Sequence, residues 1–514
     1  MAVGSNYDML VVGGGINGVG IARDAAGRGL SVLLCEQDDL AGHTSSASTK
    51  LIHGGLRYLE YYEFNLVRKA LQEREVLLRA APHIIWPLRF VMPHNAQLRP
   101  AWMIRAGLFL YDHLSKRRLL ARSRSIDLAS NPLGHPLQAQ HRKGFVYSDA
   151  WVDDARLVVL NAMDAAERGA TVLPRTRFVS AQRHPDHWLA TLHQSATGRS
   201  ETVRARVLVN AAGPWAGNLL RDSLALLPKR ELLMAKGSHI IVRKLFEHDH
   251  AYILQNPDKR IIFAIPYEQE FTLIGTTDVA FSGDPAQVSV SSDETNYLCE
   301  MANRYFTRQI TARDVVASYA GVRPLLEEET SDLSAVTRDY ALESDVGADR
   351  APLLSVLGGK ITTFRRLAEE TLDMLAANLG RTGPTWTATA PLPGGDIVNA
   401  DFDSFLTDLR HRYTWLPASL LRRYARAYGT RIHRLLGTAT NTAGLGQDLG
   451  EGIFEAEIDY LVKREWARTP EDILWRRTKL GLHVTATTVQ RLSAALPSIV
   501  AQCDPQEIRY ATNA

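Results

Sequence analysis

The residues whose types and spacing point most directly to chemistry are three glycines, Gly13-x-Gly15-x-x-Gly18. They follow an apolar run and open a stretch of helical pattern. In that setting the first glycine permits a tight turn, the second lets the backbone approach a pyrophosphate, and the third lets helix and strand pack closely. Glu36 stands at the end of a second apolar run, SVLLCE. A carboxylate there accepts hydrogen bonds from ribose hydroxyls and repels a 2′-phosphate. A lone glycine fingerprint is weak. With Glu36 it predicts a dinucleotide site built from Gly13, Gly14, Gly15, Asn17, Gly18 and Glu36.

The elements that must position these residues are legible. Residues 8–12 read as a buried strand, 16–29 as a helix and 31–36 as a second strand, which makes a βαβ unit. Further apolar runs at 205–210, followed by AAGPWAG, and at 353–357, followed by GGKITT and a helix from about Phe364, predict one sheet assembled from distant segments. Alternating runs at 239–242, 260–267 and 271–277 predict a second, mostly antiparallel sheet. A Pro/Gly/Thr-rich stretch, 380–395, reads as a linker. Beyond it the pattern is helical: Phe402, Phe405, Leu406, Leu409 and Tyr413 follow a helical spacing, and Thr469-Pro470-Glu471-Asp472 is a helix start.

No second GxGxxG follows a strand, so there is room for one such dinucleotide. The Ser/Thr-rich run after Glu36, Thr44-Ser45-Ser46-Ala47-Ser48-Thr49-Lys50, favours FAD over NAD and adds Thr44, Ser45, Ser46 and Ser48 to the candidate cofactor site. A chain of 514 residues with 45% hydrophobic and 22% charged residues is an ordinary globular protein of two or three domains. The net charge of +3 is compatible with an anionic substrate or membrane surface and proves neither. Cys35, Cys299 and Cys503 lie far apart, so neither a disulfide framework nor a metal cage is expected. The N-terminal sequence lacks the pattern of a signal peptide, and a cytoplasmic setting is expected.

Three segments carry a more specific signal: TSSASTKLIHGGLRYLEYYEF (44–64), AGVRPL (320–325) and GGKITTFRRLAEE (358–370). They resemble the FAD-dependent glycerol-3-phosphate dehydrogenase family, and the resemblance covers nearly the whole chain. It implies an α/β fold of the D-amino-acid-oxidase type. A Rossmann-type FAD-binding domain (1–80, 146–235 and 321–390) is interleaved with an antiparallel substrate domain (81–145 and 236–320), and a helical C-terminal domain (391–514) follows. The implied reaction is oxidation of sn-glycerol 3-phosphate to dihydroxyacetone phosphate, with electrons passed to quinone at the cytoplasmic face of the membrane.

The residue chemistry is compatible with that. A phosphate monoester calls for cations with hydrogen-bond donors. By resemblance Arg57, Tyr58 and Lys360 clamp the phosphate, Thr362 adds a hydroxyl, and Arg323 lies nearer the reacting hydroxyl. Gly359, Lys360, Ile361 and Thr362 form a turn whose following helix would face the flavin, Gly213 and Trp215 lie on the adenine or pyrophosphate side, and Asp278 belongs to a strand facing the site. Moving a hydride from C2 requires a base for the hydroxyl proton, and His53 and His239 are the two histidines within family-like motifs. The residues leave open which of them serves.

With one nucleotide site and no redox cysteine pair, electrons leave for an external acceptor, and the residues do not separate quinone from oxygen. The stretch Trp102–Arg124 mixes apolar side chains with a basic cluster, a pattern suited either to an anionic bilayer or to packing on the protein's own core. The arginines of the C-terminal segment read as a solvated helical surface rather than a nucleic-acid face, and a homodimer is compatible with that surface. The competing readings are an oxidase using oxygen and a non-catalytic flavin-binding scaffold. The presence of Arg57, Arg323 and Lys360 argues against the scaffold.

Overall fold

The computed structural model describes residues 6–502 apart from 96–98, 257, 259, 327–338, 348 and 381. Cys503 lies outside the described residues.

The first strand, Asn6–Val12, is followed by the helix Ile16–Gly27 and the strand Val32–Cys35. Apolar side chains fill both faces of these strands, as a parallel sheet covered on both sides requires. Asn6–Val12 sits between Val32–Cys35 and Arg199–Asn210 and is parallel to both; Val12 is level with Cys35 on one side and Asn210 on the other. Arg350–Gly358 joins the far side of Arg199–Asn210, also in parallel. The runs expected at 205–210 and 353–357 therefore do bring distant segments into one sheet. Its strand ends meet where Gly13, Ala211 and Glu36 lie. Three helices, Ile16–Gly27, Asp154–Glu167 and Phe364–Leu379, pack on one face around Val19, Leu160 and Leu372. A hairpin of Thr176–Arg183 and Trp188–Gln194 extends the sheet, and Trp188 packs against the other face.

The second sheet is larger and mostly antiparallel. Leu232–Arg243 pairs with Phe271–Gly275 and with Val315–Leu326, and Ile261–Tyr267 continues beyond Phe271–Gly275. Ala251–Gln255 then pairs in parallel with Ile85–His94, which pairs with Lys143–Val152. Two of these strands, Lys143–Val152 and Val315–Leu326, run across the expected segment boundaries at 146 and 321. The reason is physical: Lys143–Val152 is buried along almost its whole length, so it lacks the alternation that marks a half-exposed strand.

After residue 395 the chain is helical. Phe402–Arg412 buries Phe402, Leu406 and Leu409, as their spacing predicts, against Tyr424, Ile458 and Leu492 of later helices. At the expected helix start the Asp472 N–H donates to the Thr469 hydroxyl (3.2 Å), and the Asp472 carboxylate accepts from the Thr469 N–H (2.9 Å). Asp472 also accepts at 2.5 Å from Arg175, the residue before the first sheet's hairpin, and so joins the two bodies. Burial alone would raise its pKa; Arg175, the Arg468 N–H, Arg477 and Arg476 together pull it down to about 2. The folded value lies below the unfolded one of ~3.9, so the stabilisation is complete above that value and fades as pH falls toward 2. Asp472→Asn is expected to cost on the order of 2 kcal/mol at neutral pH, with the urea-unfolding curves of variant and parent converging as pH drops below about 3. A gap independent of pH would assign the loss to packing.

Candidate active site

A cleft of about 410 Å³ opens at the carboxyl ends of the first sheet's strands. Gly13, Gly15, Glu36, Thr44, Ser45, Gly213 and Trp215, all expected from the sequence, line it. Gly13 has φ +116°, and a side chain there would strike the Ala211 carbonyl. The Glu36 carboxylate accepts from the Gly14 N–H at 2.6 Å and the Asp38 N–H at 2.9 Å. Burial raises its pKa against the pull of those two N–H groups. Gly18 lies buried in the helix that the glycine turn opens, and that helix has no acidic residue in its first turn. The Ser45 hydroxyl accepts from the Ile16 N–H at 3.0 Å, at the helix terminus where a pyrophosphate is favoured.

Asn17 reaches from the same helix to the Gly358 carbonyl (3.2 Å), while its Oδ1 is buried with no hydrogen-bond partner among the described residues. Such an acceptor calls for a donor from outside the chain. The glycine turn, Glu36, the helix terminus and Asn17 together fit a dinucleotide running from the Glu36 end of the cleft toward Gly359.

The rest of the serine run is committed elsewhere. Thr44 donates to the Val322 carbonyl (2.7 Å), Ser46 to the His43 carbonyl (3.1 Å) and Ser48 to Asp154 (2.8 Å). Ser46 and Ser48 thus shape the loop, and Ser45 alone of the expected serines is hydrogen-bonded at the helix terminus.

The loop lies against one face of the second sheet. Tyr319 is level with His239, Gly321 with Gly237 and Arg323 with Ala235, so these residues share that face. Arg323 donates to the Thr276 hydroxyl at 3.2 Å and stands 3.8 Å from Asp278. Gly237 leaves room for this guanidinium, since a side chain there would collide with it. His239 is 0% exposed, stacked on Tyr319 at 4.8 Å, with its Nε2 3.0 Å from the Thr49 hydroxyl. Burial, reinforced by Arg323 and Lys50, holds its pKa well below the usual histidine value, so it is neutral.

Four of the remaining candidates, His53, Tyr58, Lys360 and Thr362, meet where two turns touch. The His53 N–H donates to the buried Thr362 hydroxyl at 3.3 Å, and Lys360 Nζ lies 3.9 Å from the centre of the Tyr58 ring. The HGGLRY and GGKITT turns are thereby folded against one another. The first is held from below: the Gly54 N–H donates to the Tyr111 hydroxyl (2.8 Å), which donates to Asp149, itself paired with Arg74. Ile361 is half-buried in the second turn, and Arg57 points toward a larger groove of about 1690 Å³ that also takes in Tyr62, Met103 and Leu110. Thr49, Lys50, Tyr319 and Thr276 were not singled out from the sequence as site residues. Thr49 and Lys50 end the serine run and Tyr319 precedes AGVRPL, so adjacency to motifs was the available signal.

Residues 8–365 match the FAD dependent oxidoreductase family, and residues 385–505 match the C-terminal domain of alpha-glycerophosphate oxidase. A glycerol-3-phosphate dehydrogenase from Pseudomonas aeruginosa is 56% identical over 96% of this chain and 95% of its own. The chain belongs to the FAD-dependent glycerol-3-phosphate dehydrogenase family. Within it, a D-erythritol 1-phosphate dehydrogenase from Brucella abortus is 54% identical over 94% of this chain and 96% of its own. The glycerol-3-phosphate dehydrogenase from Bacillus halodurans, solved with FAD, superposes with a TM-score of 0.76 at 28% identity, covering 98% of this chain and 93% of that one. The cofactor is FAD, and the chain is an oxidoreductase. Glu36→Gln keeps the size of the side chain but removes the charge that favours ribose hydroxyls. It is expected to weaken FAD binding about tenfold or more, read by fluorescence titration of the apo-protein.

Proposed function

We propose that the enzyme oxidises sn-glycerol 3-phosphate at C2 to dihydroxyacetone phosphate. The observation that carries this is the meeting of the HGGLRY and GGKITT turns, which sets Arg57, Tyr58, Lys360 and Thr362 in the two touching turns. Two cations with hydroxyl donors suit a phosphate monoester. Arg323, a permanent cation on the sheet face, stabilises charge growing on the C2 oxygen. FAD, when bound, supplies the hydride acceptor. His53 takes the hydroxyl proton in this reading: it is partly exposed, whereas His239 has no exposed surface and its Nε2 is engaged by Thr49. His239 instead fixes the sheet face on which Arg323 lies.

Anaerobic stopped-flow mixing with sn-glycerol 3-phosphate should bleach the flavin band, and glycerol should not. Arg57→Met and Lys360→Met should each raise the half-saturating concentration about tenfold to a hundredfold. His53→Asn should slow reduction by about a hundredfold or more with FAD retained. If His239→Asn alone slows it, the two histidines exchange roles. Faster reduction by D-erythritol 1-phosphate than by sn-glycerol 3-phosphate would reassign the substrate within the same site.

For the acceptor we propose membrane quinone, with the enzyme attached peripherally at the cytoplasmic face. No helix among the described residues is long and apolar enough to cross a membrane. The helix Ala101–His113, however, buries only Leu108, Tyr111 and Asp112. Trp102 is 70% exposed, Phe109 57% and nearby Tyr62 78%, and the exposed Lys116, Arg118, Arg122 and Arg124 follow in the chain. Such a surface suits an anionic bilayer better than water. Trp102→Ser with Phe109→Ser should abolish cosedimentation with anionic phospholipid vesicles while leaving flavin reduction unchanged. Stoichiometric hydrogen peroxide during turnover would replace quinone by oxygen.

A further inference from the structure

Three cations within four residues of the helical C-terminal domain, Arg476, Arg477 and Lys479, leave that domain and enter the FAD-binding part of the chain. The Arg477 guanidinium, with 0% side-chain exposure, holds Asp39 by both oxygens, at 2.7 and 2.8 Å. Arg476 reaches the same Asp39 at 2.7 Å and Asp472 at 2.6 Å. Asp39 lies on the loop that leaves Glu36. That loop is pinned from its other side, where the Arg175 N–H donates to the Asp38 carbonyl (2.8 Å) and the Thr176 N–H to the Glu36 carbonyl (2.6 Å). Arg175 in turn pairs with Asp472.

Lys479 reaches the start of the helix Asp154–Glu167, behind the serine run. Its Nζ is 3.2 Å from Asp153 and 4.0 Å from Asp154. Asp154 holds Lys50 at 2.8 Å and accepts from the Ser48 hydroxyl at 2.8 Å, and Lys50 donates to the Ser46 carbonyl at 2.9 Å. One turn of the last domain therefore holds residues 36–41 directly, through Asp39, and residues 44–50 at one remove, through Asp153 and Asp154, and these two stretches form one wall of the dinucleotide cleft.

We propose that Arg476, Arg477 and Lys479 form a clamp that retains FAD. Release of the dinucleotide is eased when this wall moves away from the rest of the lining, residues 176–179 and 211–223, and the clamp ties the wall to the C-terminal domain through buried ion pairs, which lose most when one partner is removed. These are positioning residues, and the inference rests on the FAD cleft rather than on the identity of the substrate.

The test uses the full-length, FAD-loaded protein and reads release as recovery of flavin fluorescence, at a temperature where far-UV circular dichroism is native. Arg477→Met and Lys479→Met should each speed release about tenfold or more, and Lys479→Arg should restore slow release. The gain in melting temperature on adding FAD should shrink in the methionine variants. If Arg477→Met does not fold, Arg476→Gln, at the rim of the cluster, should still speed release several-fold. Release within about twofold of the parent, with apo- and holo-protein melting temperatures lowered equally, overturns the clamp and leaves a purely structural interface.

Discussion

A single buried ammonium, Lys50 Nζ, governs how the two sheets meet. It is 2% exposed, and burial lowers its pKa in spite of Asp154. Taking this charge out of water is tolerable because each of its contacts is a good one: both Asp154 oxygens, the Ser46 carbonyl and the face of the Tyr319 ring at 4.9 Å. The backbone at Lys50 is left-handed (φ +59°), which turns the serine run back on itself. The preceding residue, Thr49, then delivers its hydroxyl to His239, while the Tyr319 hydroxyl donates to the Ser48 carbonyl at 2.8 Å. The loop that lines the dinucleotide cleft and the sheet face that carries Arg323 are thereby one packed unit. A neutral His239 follows from this arrangement, because two fixed cations and a dry site both disfavour its protonated form.

The fold was largely legible in the sequence because the parallel strands end in short, continuous apolar runs, and two of them, Asn6–Val12 and Arg350–Gly358, run into glycines of positive φ. The strands at 143–152 and 315–326 were placed less well. Lys143–Val152, buried on both faces, has no alternation, and for both strands the sheet is decided by partners far away in sequence.

The site was legible to a different degree. The nucleotide end needs particular residue types at fixed offsets, so Gly13 and Glu36 could be read from spacing, whereas Ser45 came only with the whole Ser/Thr-rich run. Ser46 and Ser48 resemble cofactor ligands in composition, but their hydroxyls are drawn into the loop by His43 and Asp154, a competition that spacing does not reveal. Likewise a histidine within a motif reads the same whether it is buried like His239 or accessible like His53. Accessibility is a tertiary property.

Asp39 and Arg477 lie 438 residues apart in the chain yet share a bidentate pair with almost no exposure. During synthesis from the N-terminus the aspartate and the nucleotide turn emerge early, while the guanidinium that completes them emerges near the end. A chain that stops short of Arg477 leaves Asp39 with the longer contact to Arg175, 3.7 Å, in place of a bidentate one. The order of synthesis therefore leaves the segment beside the nucleotide turn without its bidentate partner until the chain has been made through Arg477.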